Sequence, residues 1–172
     1  MTDQFEDDRE QLRVIQTIFE NAVDKNTLED LGAYIDADFS IVSFTDKSFE
    51  DFESFIKEWK ISRRKIVGKG GFITKLNPEP SLFIDDIAIC KGCSDNTMVD
   101  NKGQRFKYTS NWTVIFKRTD GIWKILRAHS SLDPFRNPVL VSNVKRKIFM
   151  SSLLAFILGS VTCSVVAYWI FQ

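Results

Sequence analysis

Residues 106–131 read FKYTSNWTVIFKRTDGIWKILRAHSS, which is the pattern of a long β-hairpin. Two runs rich in aromatic and β-branched residues, 106–116 and 122–129, flank Asp120-Gly121, a dipeptide that favours a tight turn between antiparallel strands. Successive side chains of a strand point to opposite faces, so every second residue shares a face. In the first strand, one face then carries Phe106, Tyr108, Ser110, Trp112 and Val114. In the second strand, one face carries Trp123, Ile125, Arg127, His129 and Ser131.

Further strands and several helices are predicted upstream of this hairpin. Apolar residues at helical spacing predict a helix over roughly 4–25, a short helix over 28–35 and a third that Ser48 and Asp51 open and Gly68 ends. Strands are predicted around 39–42 and over 72–76 and 82–90, with a turn at 101–103. This order indicates an α+β fold, with helices on one face of a mostly antiparallel sheet. A long sheet that curves around a helix leaves a conical hollow.

Three segments resemble the nuclear transport factor 2-like superfamily, and its SnoaL-like domains are the most similar. They are YIDADFS at 34–40, YTSNWTVIFKRTDGIW at 108–123 and WKILRAHSS at 123–131. The resemblance covers residues 8–132 and implies a cone-shaped, cystatin-like barrel that is often a homodimer, with a pocket between sheet and helices. The superfamily includes ketosteroid-isomerase-type enzymes, polyketide cyclases and members that only bind or oligomerise. Fold alone therefore does not assign a function.

The resemblance also implies which strand faces look into the pocket. The candidate pocket residues are Tyr108, Ser110, Trp112, Trp123, Arg127 and His129. His129 is the only histidine; it could bind an anion or act as a base, or it could be hydrogen-bonded at the barrel rim. Tyr108 could donate to an oxyanion or belong to the core.

Isomerases of the superfamily use a carboxylate on or after the first strand as the base. Asp38 and Asp46 are the candidates here. Asp46 lies farther along the chain than the isomerase pattern implies, so a solvated aspartate in a turn is the alternative reading. Asp46 and His129 are thus the weak catalytic candidates, and neither is assigned a role.

No cofactor or metal is expected from the sequence. Cys90-Lys91-Gly92-Cys93 has the CxxC spacing, but it ends a predicted strand, whereas redox-active versions begin a helix that lowers the thiol pKa. Zinc would need two further ligands, and the sequence has neither a second CxxC nor a histidine pair. A glycine-rich phosphate loop and a serine nucleophile elbow are also absent from the sequence.

The 23 acidic and 23 basic side chains are unevenly distributed. Residues 1–53 hold 15 acids and 4 bases, and residues 54–172 hold 8 acids and 19 bases. No basic cluster is interleaved with aromatic residues, so a nucleic-acid partner is not expected. Either the two halves neutralise each other within one fold, or the basic half lies near an anionic membrane surface.

Residues 148–171 carry no charge, and as a helix they would reach about 36 Å, enough to cross a bilayer. Lys145, Arg146 and Lys147 precede them, and only Gln172 follows. The positive-inside rule then predicts a tail anchor that keeps the domain at 1–132 in the cytoplasm, joined by a basic linker at 133–147. Small residues at i+4 spacing, among them Ala155, Gly159 and Cys163, are candidates for helix packing in the membrane.

Two classes of function remain open at this point. The first is a membrane-tethered, non-catalytic module that binds a small apolar ligand or a protein partner. The second is an isomerase, cyclase or dehydratase that acts on a hydrophobic carbonyl compound through an aspartate or histidine in the cone. In both, membrane lipid and a second copy of the chain are the expected partners.

Overall fold

The computed structural model describes residues 5–133, 144 and 147–160. The chain divides into two compact units, Met1–Asp133 and Pro134–Gln172. All of the helices and strands labelled below belong to the first unit. In the second unit, residues 147–160 are helical.

Two α-helices and a 3₁₀-helix form one side of the first unit. Helix α1 spans Glu6–Lys25, the 3₁₀-helix spans Leu28–Tyr34, and α2 spans Phe52–Ile66. Acidic residues occupy the first turn of α1, where they complement the helix dipole, and the helix ends at Asn26 in the left-handed conformation. The apolar stripe of α1 is buried because it faces the sheet.

Seven strands form one sheet on the other side. They are β1 (Ile35–Val42), β2 (Ser48–Phe49), β3 (Val67–Pro78), β4 (Leu82–Ile84), β5 (Ile87–Asp100), β6 (Arg105–Thr119) and β7 (Ile122–Ser131). Their order across the sheet is β2-β1-β7-β6-β5-β3, and β4 pairs with β5. Only the β1–β7 pair is parallel among these strands. The predicted α+β fold, with its mostly antiparallel sheet, is therefore confirmed.

Three local predictions were wrong. Ser48 lies in β2, and Asp51 alone is the N-cap of α2, where its side chain accepts from the Ser54 backbone N–H at 2.7 Å. The run 82–90 is two strands, because Asp85 takes a positive φ of 48° and turns the chain between β4 and β5. The Cys90–Cys93 segment lies inside β5 and does not end it.

A β-bulge in β7 changes which residues of that strand face the helices. Ile115 pairs with Arg127 and Phe116 pairs with Ile125, so Leu126 is an extra residue on β7. The alternation therefore shifts by one position after Ile125. Trp123 and Ile125 face inward as predicted, but beyond the bulge Ala128 and Ser130 take the inward positions.

None of the helices in the described part of the chain is long and apolar enough to cross a membrane. The span predicted at 148–171 is described only as far as residue 160, and residues 161–171, including Cys163, lie outside the described residues. Within residues 148–160, the large apolar side chains are exposed, as Phe156 illustrates at 73%. Ala155 and Gly159 both lie in the helical stretch.

Candidate functional site: an apolar cavity with a polar floor

The concave side of the sheet and the helices above it enclose a cavity of about 450 Å³. This volume lies within the range of small-molecule sites in proteins. Residues from α1, the 3₁₀-helix, α2 and five of the strands line it. The predicted hollow between sheet and helices is thus present in the first unit.

Aromatic and aliphatic side chains form most of the wall. Trp59 of α2 stacks on Phe72 of β3 at 5.7 Å between ring centroids, and Phe72 stacks on Tyr108 of β6 at 6.5 Å. Trp59 is held in place because its indole N–H donates to Asn26 Oδ1 at 3.1 Å. On the opposite side, Phe39 of β1 meets Phe52 of α2 edge to face. These rings give the wall its shape and its apolar character.

A small polar cluster interrupts this apolar wall on the sheet side. It consists of Thr74, Ser94, Asn96 and Ser110, which are all buried and all line the cavity. The Ser94 and Ser110 hydroxyls lie 2.7 Å apart, and the Asn96 amide donates to the Ser110 hydroxyl at 3.1 Å. We call these four residues the polar floor. Strand register explains the cluster, since Thr74 pairs with Asn96 and Ser94 pairs with Ser110.

Tyr108 lies beside the polar floor. It is the cross-strand partner of Asn96 and shares its strand face with Ser110. Burial raises the pKa of the Tyr108 hydroxyl to about 12, because desolvation disfavours the phenolate. A tyrosine hydroxyl is neutral at about pH 7 whether or not its pKa is raised, so this group can donate a hydrogen bond.

The structure brings some of the predicted pocket residues together and separates others. Tyr108, Ser110, Trp112 and His129 line the cavity. Trp123 is completely buried and belongs to the core. Arg127 lies on the outer face, where its guanidinium donates to the backbone carbonyl of Asp38. The bulge at Leu126 is the reason, since it turns Arg127 away from the cavity.

The weak catalytic candidates do not converge. Asp46 is exposed in the turn after β1, with a positive φ of 60° and its N–H donating to the Ser43 carbonyl. It does not belong to the cavity wall, which fits the reading as a solvated turn residue. Asp38 is also exposed, on the outer side of β1. His129 contributes to the cavity wall but is exposed, so it lies at the edge.

The two cysteines that the structure describes are free and lie on opposite faces of β5. Cys90 is buried on the inner face, and Cys93, three residues on, lies on the outer face of the same strand. Burial raises the pKa of the Cys90 thiol, although a hydrogen bond with Ser81 opposes this. No group of three or more metal-ligating side chains comes together among the described residues.

Sequence reasoning missed a buried polar cluster at the hairpin turn. The Asp8 carboxylate of α1 accepts from the Trp123 indole N–H at 3.0 Å and from Arg118 Nη2 at 2.8 Å. The Arg118 guanidinium also lies over the Trp123 ring, 4.4 Å from its centroid. Asp8 is separated from its partners by 110 or more residues, so no local pattern pointed to it.

Residues 8–134 match the family model of the calcium/calmodulin dependent protein kinase II association domain. The chain belongs to this family. The match differs from the SnoaL-like branch that the sequence resemblance favoured, and it covers the same part of the chain. The chain matches none of the curated proteins with which it was compared.

Solved structures share the fold of this association domain at low sequence identity. A candidate association domain from Xanthomonas campestris is 16% identical, with a TM-score of 0.52 over 72% of this chain and 83% of that one. A candidate dehydratase of the nuclear transport factor 2-like family from Streptomyces avermitilis is 17% identical, with a TM-score of 0.61 over 73% and 96%. A type 2 hexachlorocyclohexane dehydrochlorinase is 14% identical, with a TM-score of 0.66 over 73% and 85%. The predicted nuclear transport factor 2-like fold is thereby confirmed.

Proposed function

We propose that this association domain is a non-catalytic binding module, tethered to a membrane, whose cavity holds a small, mostly apolar ligand. The observation that carries the proposal is the cavity itself, about 450 Å³ in volume and walled mainly by aromatic and aliphatic side chains. Burial of an apolar molecule against such walls is favourable because it removes apolar surface from water.

The distribution of charge favours binding over catalysis. The charged side chains on the cavity wall are Arg9, Arg13 and Glu79, and each is exposed or half-buried. His129 is also on the wall and is exposed at its edge. General acid–base catalysis needs an acid or base within hydrogen-bond reach of the substrate. The polar floor consists of neutral hydroxyl and amide groups, which can position a ligand but do not exchange protons readily at neutral pH.

The apolar segment at 148–171 supports a membrane tether. It has no charged residue, and the basic residues Lys145, Arg146 and Lys147 stand at its start. Large apolar side chains over 148–158 are exposed in the structure. By the positive-inside rule, the association domain lies on the cytoplasmic side in this proposal. A ligand that partitions into lipid would then be concentrated near the cavity.

We also propose that the domain pairs with a second copy of itself. The outer face of the sheet carries an apolar patch at one edge, formed by Leu82, Ile84, Ile87, Ile89 and Ile115. Leu82 and Ile84 are more than half exposed. Contiguous exposed apolar surface favours protein association, and the family is named for association.

The ligand proposal is tested by photolabelling the full chain in lipid nanodiscs. The probe is an alkane that carries a photoreactive diazirine, and mass spectrometry identifies the labelled peptides. We expect label on cavity peptides, and we expect Ser110→Trp to reduce it at least tenfold because the indole fills the cavity. Thr109→Trp is the matched control, since Thr109 is exposed on the outer face of the same strand. Equal labelling of both variants would overturn the proposal.

The same experiment addresses catalysis. His129→Ala and Asp46→Asn should change cavity labelling by less than about tenfold, which is about 1.4 kcal/mol. Turnover of a carbonyl compound that either variant abolishes, with the fold intact by circular dichroism, would instead establish an enzyme, because loss of a general base costs about 10²- to 10⁴-fold in rate.

The pairing proposal has a separate test. The full chain in density-matched detergent should sediment as a dimer, and Ile84→Lys should shift it toward the monomer by burying an unpaired charge in the interface. Ile73→Lys is the matched control because Ile73 is equally exposed on the sheet but lies outside the apolar patch. A monomeric parent protein, or equal effects of the two variants, would contradict the proposal.

A further inference from the structure

The polar floor has an imbalance between hydrogen-bond donors and acceptors. The Thr74 hydroxyl donates to Asn96 Oδ1 at 2.8 Å, which satisfies that oxygen. Asn96 Nδ2 then donates to the Ser94 and Ser110 hydroxyl oxygens at 3.2 and 3.1 Å. Each of these serines still carries a hydrogen of its own.

The two serine hydroxyls cannot satisfy each other completely. Their oxygens lie 2.7 Å apart, so one hydroxyl donates to the other and uses one of the two hydrogens. The remaining hydrogen has only a long contact within the described residues, from Ser94 Oγ to the Ser110 carbonyl at 3.5 Å. Such a contact is at the limit of a hydrogen bond. When Ser94 donates to Ser110, the Ser110 hydrogen is available to a molecule in the cavity.

Tyr108 adds a second donor to the cavity wall, on the same face of β6 as Ser110 and two residues from it. Its hydroxyl makes no hydrogen bond with the residues that the structure describes, and the ring is held by its stacking on Phe72. A tyrosine hydroxyl is protonated at neutral pH, and burial raises the pKa of Tyr108 further, to about 12. Tyr108 is half-buried and lines the cavity, so its hydroxyl can donate to a ligand acceptor there.

The charges around the cavity argue against an anionic ligand. Arg13 pairs with Glu10 at 2.8 Å and with Glu6 at 3.2 Å, and Arg9 lies 3.8 Å from Glu6. His129 is exposed at the cavity edge. The floor itself offers only neutral donors, and burial of a carboxylate without a cation beside it is strongly unfavourable. The acceptor is therefore an uncharged oxygen.

We propose that Tyr108 and the Ser94–Ser110 pair form a donor site for the carbonyl oxygen of an uncharged, otherwise apolar ligand such as a long-chain ketone, aldehyde or ester. This inference rests on the proposed binding function and adds the chemical class of the ligand. The hydrocarbon part of the ligand packs against the aromatic wall, and its oxygen accepts from the floor. No bond forms or breaks in the ligand.

The test compares a long-chain methyl ketone with the alkane of equal chain length as competitors of the alkane photoprobe, with the full chain in nanodiscs. For each protein we measure the ratio of the two half-displacing concentrations. In the parent protein the ketone should be favoured more strongly than in Tyr108→Phe, by about three- to tenfold, which corresponds to one hydrogen bond. Because the lipid is the same, differences in membrane partition cancel between the two proteins.

Two further variants make the result specific. Tyr34→Phe makes the same chemical change outside the cavity and should leave the ratio unchanged. Ser110→Ala should reduce the preference for the ketone, and it covers the case in which Tyr108→Phe unfolds, as judged by circular dichroism. An equal ratio in the parent protein, Tyr108→Phe and Ser110→Ala would overturn the inference while leaving the binding function intact. Failure of the photoprobe to label the cavity at all would overturn both.

Discussion

At the turn end of the β6–β7 hairpin, Arg118 and Trp123 meet Asp8 of α1, whereas farther along β6, Tyr108 and Ser110 face the cavity. Both regions place polar groups beneath helices on the same sheet. At the turn end the Asp8 carboxylate accepts from both partners, and the Trp123 ring is completely buried. Arg118 Nε is also buried there without a hydrogen-bond partner in the part of the chain that the structure describes, but Arg118 does not line the cavity. In the cavity, two hydroxyl groups retain donors for which the described residues supply no good acceptor, and these donors can reach a ligand.

This difference separates a structural polar cluster from a binding surface. A charged group that is buried with well-placed partners holds its elements in one arrangement, and removal of one partner leaves the others unpaired. A buried donor that faces a cavity is instead available to a ligand. We therefore expect variants at the turn end to change stability most, and variants in the cavity to change binding more than stability.

The largest effect is expected from Trp123→Ala. Truncation of a fully buried tryptophan removes a large apolar surface and opens a cavity, so the free energy of unfolding should fall by about 3–5 kcal/mol. Trp112→Ala is the control, because Trp112 is only half-buried beside a cavity that already exists. Urea denaturation followed by circular dichroism measures both. Equal losses would show that the two regions do not differ in packing.

A smaller loss in the free energy of unfolding is expected from Asp8→Ala. The substitution leaves the Trp123 indole N–H and the Arg118 guanidinium without their acceptor, at a cost of about 1–3 kcal/mol. Asp7→Ala controls for the loss of a negative charge in the first turn of α1, because Asp7 is exposed. If the two variants were equally stable, the helix dipole alone would explain the effect of Asp8.

The hairpin was predictable because its signals are local. Asp120 and Gly121 adopt the positive φ angles, 53° and 75°, that a tight hairpin turn requires. The bulge at Leu126 was missed because Ile125 and Leu126 are both apolar and hide the shift, although the charged Arg127 on a supposedly inward face was a signal against the unshifted phase. The error over Arg127 followed directly from it. The Asp8–Trp123 contact and the polar floor depend on pairing between distant strands and helices, which no sequence spacing encodes.

The smallest effect, and the one that distinguishes the cavity from the turn end most directly, concerns Tyr108→Phe at alkaline pH. Burial raises the pKa of Tyr108 from 10.0 to about 12 in the folded state, so its contribution to stability is complete below pH 10 and is lost as the pH rises toward 12. Phenylalanine cannot ionise. At about pH 11 the free energy of unfolding of the parent protein should therefore have fallen by about 1 kcal/mol more than that of Tyr108→Phe, relative to about pH 9.

At about pH 9 the free energies of unfolding of the two proteins should be within about 0.5 kcal/mol of each other, because the hydroxyl makes no hydrogen bond with the described residues. Tyr34→Phe is the matched control, and urea denaturation at the two pH values is the measurement. A parallel decline in the parent protein and Tyr108→Phe would mean that the Tyr108 hydroxyl is already fully solvated in the folded state, and it would then not be the partly desolvated donor that distinguishes the cavity from the turn end.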